Sequence, residues 1–180
     1  MGEKEMENIF IEELKDLEKD DMKINKKVKI ASDLTCIKDK DRFKLAISFS
    51  EVDIAFYKQI DFGEVKRLSN YLKFSQDTRD KKDRDKLNIP FIIIELKSGK
   101  IGTDSIRARG IVARKIKNIF PFAHYLFVAE NTTKTYETLL RWGKDFDNFF
   151  IYDHEVGKKE IDEIKTKFIV PYLQNIEKML

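Results

Sequence analysis

Glu95 and Lys97 stand two apart at the end of the most apolar run in the chain, Ile89-Pro-Phe-Ile-Ile-Ile-Glu-Leu-Lys97. In an extended strand, residues two apart face the same side, so a carboxylate and an ammonium leave this strand together. A strand covered on both faces gains nothing from such a pair, because each buried ion carries a desolvation cost unless a partner or ligand compensates. Asp53 sits in a second run, where Val52, Ile54 and Phe56 alternate with Glu51, Asp53 and Ala55. If the two strands are neighbours, their carboxylates converge. Together with a backbone carbonyl such as that of Leu96, they form a set of hard oxygen ligands suited to Mg²⁺ or Mn²⁺. A divalent cation there would activate water, and Lys97 beside it would offset charge growing on phosphorus, which are the two needs of phosphodiester hydrolysis. The plainer alternative is a surface ion pair of Glu95 with Lys97 at a strand end, with Asp53 capping a turn.

The elements that must position these groups follow from periodicity. Met6, Ile9, Phe10, Leu14 and Leu17 recur at three- and four-residue steps, predicting an amphipathic helix over roughly 4–20. Phe43, Leu45, Ile47 and Phe49 alternate with polar or small residues, as a half-buried strand does. The same phase runs on through 51–57, so one long strand and two strands with a bulge or turn between them both fit. Within 58–88, residues 64–74 could form a helix, and Gln76 to Lys86 is a mixed-charge run without an apolar residue. That composition predicts an exposed excursion. After the strand at 89–97 come a helix over 103–120 with Thr103 or Asp104 as N-cap, a strand over 123–129, a short helix over 133–142, a strand over 148–152 and a final helix over 157–178. Strands alternating with helices predict an α/β fold, a central mixed sheet flanked by helices with at least one parallel pair.

Composition narrows the chemistry. The 180 residues, 42% hydrophobic, suit a single domain with a sizeable core, and no linker suggests a boundary. With one cysteine, Cys36, and two histidines, His124 and His154, a thiolate or histidine-rich metal centre is excluded, which leaves oxygen ligands. Cys36 lacks a motif histidine nearby, which argues against covalent catalysis. The histidines read as structural or solvent-exposed, and Trp142 and Phe146 as core. The acidic helical start and the absence of a long apolar run predict a soluble, intracellular, cytoplasmic protein with no membrane segment.

Net charge is only +3, so any nucleic-acid surface must be local. From Lys97 to Lys117 there are seven basic residues, Lys97, Lys100, Arg107, Arg109, Arg114, Lys115 and Lys117, against the single acid Asp104. On a helical wheel Arg107, Arg114 and Lys117 share one face, opposite Ile106, Val112, Ala113 and Ile116. That face is either an ordinary solvated surface or a phosphate-facing stripe. Arg109 falls on the apolar face, where it either snorkels past the sheet edge or turns back toward the acids and a bound phosphate. Glu13 likewise lies inside the apolar stripe of the first helix, where a glutamate at the helix edge more commonly pairs with a lysine than joins a site.

Asp53, followed by Glu95-Leu96-Lys97 on a later strand and then a basic helix, resembles the PD-(D/E)xK nuclease superfamily, which includes many type II restriction endonucleases and Holliday-junction resolvases. The resemblance spans about 43–130. Val52 stands where the first motif often has proline, and the 42 positions from Asp53 to Glu95 exceed the usual hairpin, a distance the excursion at 58–88 would account for. The resemblance implies a restriction-endonuclease-like core in which Asp53 and Glu95 bind metal and Lys97 activates water or stabilises the transition state. Leu96 would add its carbonyl, Glu51 shares the face of Asp53, and Glu13 is the first-helix acid able to complete the site. It further implies an Mg²⁺- or Mn²⁺-dependent DNA endonuclease, restriction-type, with Lys100, Arg107, Arg109, Arg114 and Lys117 along the DNA. Double-strand cleavage by a one-site domain would call for a homodimer. Two other readings stay open: a non-catalytic nucleic-acid-binding module retaining the fold, and an unrelated α/β interaction protein.

Overall fold

The computed structural model describes residues 2–39, 42–61, 72–74, 86–130, 132, 139–141 and 143–178. The first helix, α1 (Glu3–Leu14), buries Met6, Phe10 and Leu14, spaced four apart. A 3₁₀ turn, Lys15–Leu17, ends it short of the expected residue 20. Two long antiparallel strands follow, β1 (Lys23–Asp39) and β2 (Arg42–Asp61). The periodicity left β2 open between one strand and two, and it is continuous through Ser50. β1 was not expected; four lysines in Lys23–Lys29 hide the apolar positions Ile24, Val28 and Ile30 that face the core.

β3 (Leu72–Phe74) pairs in parallel with β2, so the expected helix over 64–74 does not hold at its end; its earlier part and the charge run from 76 to 86, save Lys86, lie outside the described residues. β4 (Lys86–Ser98) runs antiparallel to β2 with Ile54 opposite Ile94. The excursion is therefore shorter than 58–88, since β2 continues to Asp61 and β4 begins at Lys86. α2 (Thr103–Ile119) has Gly102 as N-cap without a side-chain cap, in place of Thr103 or Asp104. β5 (His124–Glu130) lies parallel to β4, and β6 (Asn148–Ile151) parallel to β5. Of the expected helix at 133–142 only 139–141 is described, and it is helical. The C-terminal helix comprises α3 (Lys158–Ile164), a wide π turn (Lys165–Ile169) and α4 (Val170–Glu177). Pro171 lacks the N–H that an α turn would use, which is consistent with the ladder loosening just before it.

The sheet order is β1-β2-β4-β5-β6, with β3 beside β2. On one face Ile106, Ala113 and Ile116 of α2 cover Ala55, Ile93, Tyr125 and Phe127. On the other, Met6, Phe10 and Leu14 of α1, with Ile161 and Ile164 of α3, cover Ile54, Phe56, Ile92 and Ile94. The result is an α/β architecture, a mixed sheet flanked by helices. No helix among the described residues is long and apolar enough to cross a membrane.

One close approach fixes the segment before β6. The Gly143 N–H donates to the Leu139 carbonyl at 2.6 Å, and a Cβ added there would lie 2.7 Å from that oxygen and closer still to the Phe149 ring. Both neighbours belong to or pack on the α2-side core. Gly143→Ala should therefore cost about 1–3 kcal/mol, read as a lower midpoint in urea unfolding with an unchanged slope.

Candidate functional site

The register Ile54↔Ile94 places Asp53 beside Glu95, although 42 positions separate them in sequence. Both alternate with residues of the α1-side core, so both point toward α2. Asp53 is 5% exposed and Glu95 1%. Their carboxyl groups meet, each within hydrogen-bonding reach of the other.

The environments of the two acids differ. Asp53 Oδ2 accepts the Leu96 N–H at 2.9 Å, and Oδ1 accepts from the Lys27 ammonium at 2.7 Å. Burial alone would raise the Asp53 carboxyl, but hydrogen bonds from Glu95, Lys27 and the Leu96 N–H outweigh it and hold the group below the ordinary range. Glu95 Oε1 accepts from the Tyr125 hydroxyl at 3.0 Å and from Arg109 at 3.2 Å. Burial first, then the Asp53 charge, raises the Glu95 carboxyl well above the ordinary range, with Arg109 and Tyr125 opposing. Glu95 Oε2 is buried and has no donor. A proton on Oε2, shared with ionised Asp53, satisfies both acids, and in its place a cation would do the same.

Lys27 comes from the unexpected strand β1, between Lys26 opposite Ile54 and Val28 opposite Val52. Its φ of 54° lies in the left-handed region, which costs a non-glycine residue on the order of 1 kcal/mol. Its ammonium bridges Asp53 and Glu7 of α1, the latter at 2.5 Å. Burial would lower that ammonium, but hydrogen bonds to Asp53 and Glu7 keep its pKa above the ordinary value.

Several expected site residues stand elsewhere. Lys97 is paired with Glu3 of α1, and the ammonium on Asp53 is that of Lys27. Glu13 is paired with Lys158 at 2.7 Å, and its carbonyl accepts from Lys165, at the C-terminal end of α1. The α1 acid joined to the site is Glu7, 4% exposed, one turn after Glu3. Glu51 is exposed and paired with Lys29 at 3.2 Å, so it does not join Asp53. Of the two readings of Arg109, the turn toward the acids is the one observed. Arg114 meets Asp145 at 3.1 Å and Lys117 meets Asp147 at 2.5 Å, while Lys100 is exposed. Arg107, Ile111, Arg114, Arg141, Lys144 and Asp145 line a cavity of about 250 Å³ on this side of α2. His124 bonds Asn148 and stacks on Tyr172, and Phe146 is core, both structural as expected; Cys36 is exposed, and Trp142 lies outside the described residues.

Among the described residues, no three His, Cys, Asp or Glu side chains cluster closely enough to form a metal cage by themselves. Mg²⁺ does not require one, since it retains several waters and often binds through one or two carboxylates. Two adjoining carboxyl groups, one with a donor-less oxygen, fit that need. No family model matches the chain, and no curated protein matches it.

The sequence signal for Tyr125 was slight: a tyrosine in an otherwise buried strand needs a partner for its hydroxyl, and Glu95 is a buried acceptor on the neighbouring strand. For Lys27 there was none beyond its place in a lysine-rich stretch.

Proposed function

We propose that this protein is an Mg²⁺- or Mn²⁺-dependent DNA endonuclease of the restriction-endonuclease-like class, acting in the cytoplasm. The observation that carries the reading is the buried Asp53–Glu95 pair on adjacent strands, with an oxygen of Glu95 lacking any donor. That buried oxygen takes either a proton or a cation, and the nuclease reading assigns it the cation. The order of motif strands followed by α2 supports the same assignment.

Asp53, Glu95 and the Leu96 carbonyl would hold the cation, which when bound supplies Lewis acidity and a water of lowered pKa. The Leu96 N–H and Lys27 fix the rotamer of Asp53, and Tyr125 fixes that of Glu95. Arg109, 41% exposed and reaching Glu95 from α2, is placed to face a phosphate that approaches the pair. Water attack forms one P–O bond and breaks the bond to the leaving oxygen, which takes a proton as it departs. Arg109 offsets the charge that develops on the non-bridging oxygens. The basic cavity at Arg107, Arg114, Arg141 and Lys144 offers phosphate contacts along the outer side of α2. Cleavage of both strands would use a homodimer.

The competing reading, a nucleic-acid-binding module without activity, draws on one observation: Lys97 is occupied by Glu3. Incubation of supercoiled plasmid with purified protein separates the two. Nicking that requires Mg²⁺ or Mn²⁺ and stops with EDTA supports the enzyme. Salt-dependent DNA binding without nicking under either ion would support the module.

A further inference from the structure

We infer that Lys27, carried on β1, is the positioning lysine of this site, fixing Asp53 and Glu7. The inference rests on the nuclease reading and deepens it.

Three observations converge on Lys27. It is the ammonium in contact with Asp53, at 2.7 Å, whereas Lys97 is paired with Glu3. It lies across the strand pair from Asp53, between the matched residues Lys26 and Val28. Its backbone adopts the left-handed conformation. An exposed lysine on an edge strand has no reason to adopt that conformation for its own sake, and the strain persists only where surrounding contacts over-determine it. Here those contacts are the two carboxylates. Glu7 and Asp53 are both under one-tenth exposed, and Lys27 is the cation that offsets them at 2.5 and 2.7 Å.

The division of labour follows from atoms. Asp53 has one oxygen on a backbone N–H and the other on Lys27, so its carboxylate is held from both ends while a lone pair on each oxygen stays available. Glu95 keeps a free oxygen beside it. Lys27 is thus a groundwork for ligand geometry, and a partly exposed one: its side chain is 46% accessible, so it can yield as a substrate approaches.

The test pairs an apo-protein measurement with kinetics. In thermal unfolding of metal-free protein, Lys27→Met and Asp53→Asn should be coupled, the double variant falling short of the summed Tm losses by about 4 °C; Lys97→Met and Asp53→Asn should add. In Mg²⁺-dependent plasmid nicking, Lys27→Met should lower kcat about 100-fold with KM within about threefold, and Lys27→Arg should recover at least about a tenth of wild-type turnover. Lys97→Met should lose less than Lys27→Met. Should Lys27→Met unfold, the double variant Lys27→Met/Glu7→Gln removes the buried, unpaired Glu7 charge and takes its place. Coupling of Asp53 to Lys97 in the melts, or a greater kcat loss for Lys97→Met, overturns the inference while leaving the nuclease reading intact. Wild-type protein that does not nick overturns the nuclease reading instead, and the Tm cycle alone then decides whether Lys27 positions Asp53.

Discussion

Glu95→Gln should abolish metal-dependent cleavage, by at least about 10³-fold, while metal-free protein stays folded and gains stability as pH rises. The loss follows from replacing the acid whose unpaired oxygen faces the proposed cation. The gain follows from linkage. Because burial and Asp53 raise the Glu95 carboxyl in the folded state, its contribution to stability is full below the ordinary value of 4.5 and is lost as pH rises through the elevated folded value. A glutamine amide keeps a donor toward Asp53 and has no proton to lose. Melting temperatures of wild type and Glu95→Gln should therefore coincide near pH 4 and separate in favour of the variant as pH rises through the elevated folded value. Asp53→Asn should be equally inactive and behave oppositely in stability. Asp53 is held below its ordinary 3.8, so its contribution is present above that value and is lost on acidification, and the asparagine leaves Lys27 with Glu7 alone. A fall of about 1–2 kcal/mol at pH 7 is expected, measured by urea unfolding. Nicking at wild-type rate by either variant would remove the site as assigned.

Arg109→Ala should lower turnover by about 100-fold while changing DNA affinity by less than about threefold. Its guanidinium is committed to the site through Glu95 rather than to the outer face of α2, and removing it takes away a positive charge where the phosphorus oxygens would gain negative charge. Arg114→Ala provides the contrast. Arg114 is more than half exposed and paired with Asp145, so its loss should weaken binding and lower the slope of log affinity against log salt by up to about one unit, with turnover of bound DNA preserved. Single-turnover cleavage at saturating protein, set beside binding titrations at several salt concentrations, reads both. Equal effects of the two substitutions on affinity and turnover would place Arg109 on the general DNA path.

The sheet was legible where apolar residues alternate without competition, as in Phe49 to Phe56, or run on without a break, as in Phe91 to Ile94, and so was the meeting of Asp53 with Glu95. β1 was not, because lysine outnumbers apolar residues across Lys23–Lys29 and the left-handed Lys27 interrupts the alternation at the position that reaches the site. Nothing in side-chain type announces a positive φ at a lysine. The choice among the acids of α1 was hidden for a different reason. A helical wheel places Glu13 on the buried stripe but carries no information about which end of the helix lies over the strand ends; Glu3 and Glu7 face that way, and Glu13 faces the C-terminal helix. For Lys97, alternation fixes the face its side chain leaves from, whereas a four-carbon stem decides where the ammonium arrives, here at Glu3.

β2 pairs with β1 along nearly its whole length on one edge and with β4 on the other. The first pairing joins near neighbours in the chain, and the second closes a loop running from Asp61 to Lys86. Loop-closure entropy favours the hairpin forming first. Lys27 and Asp53 would then come together early, in a two-stranded intermediate, and the second carboxylate would arrive only when β4 docks. Glu95, on docking beside Asp53, would thus meet a carboxylate already offset by the lysine across the hairpin, so that the order of folding itself eases the joining of the two acids.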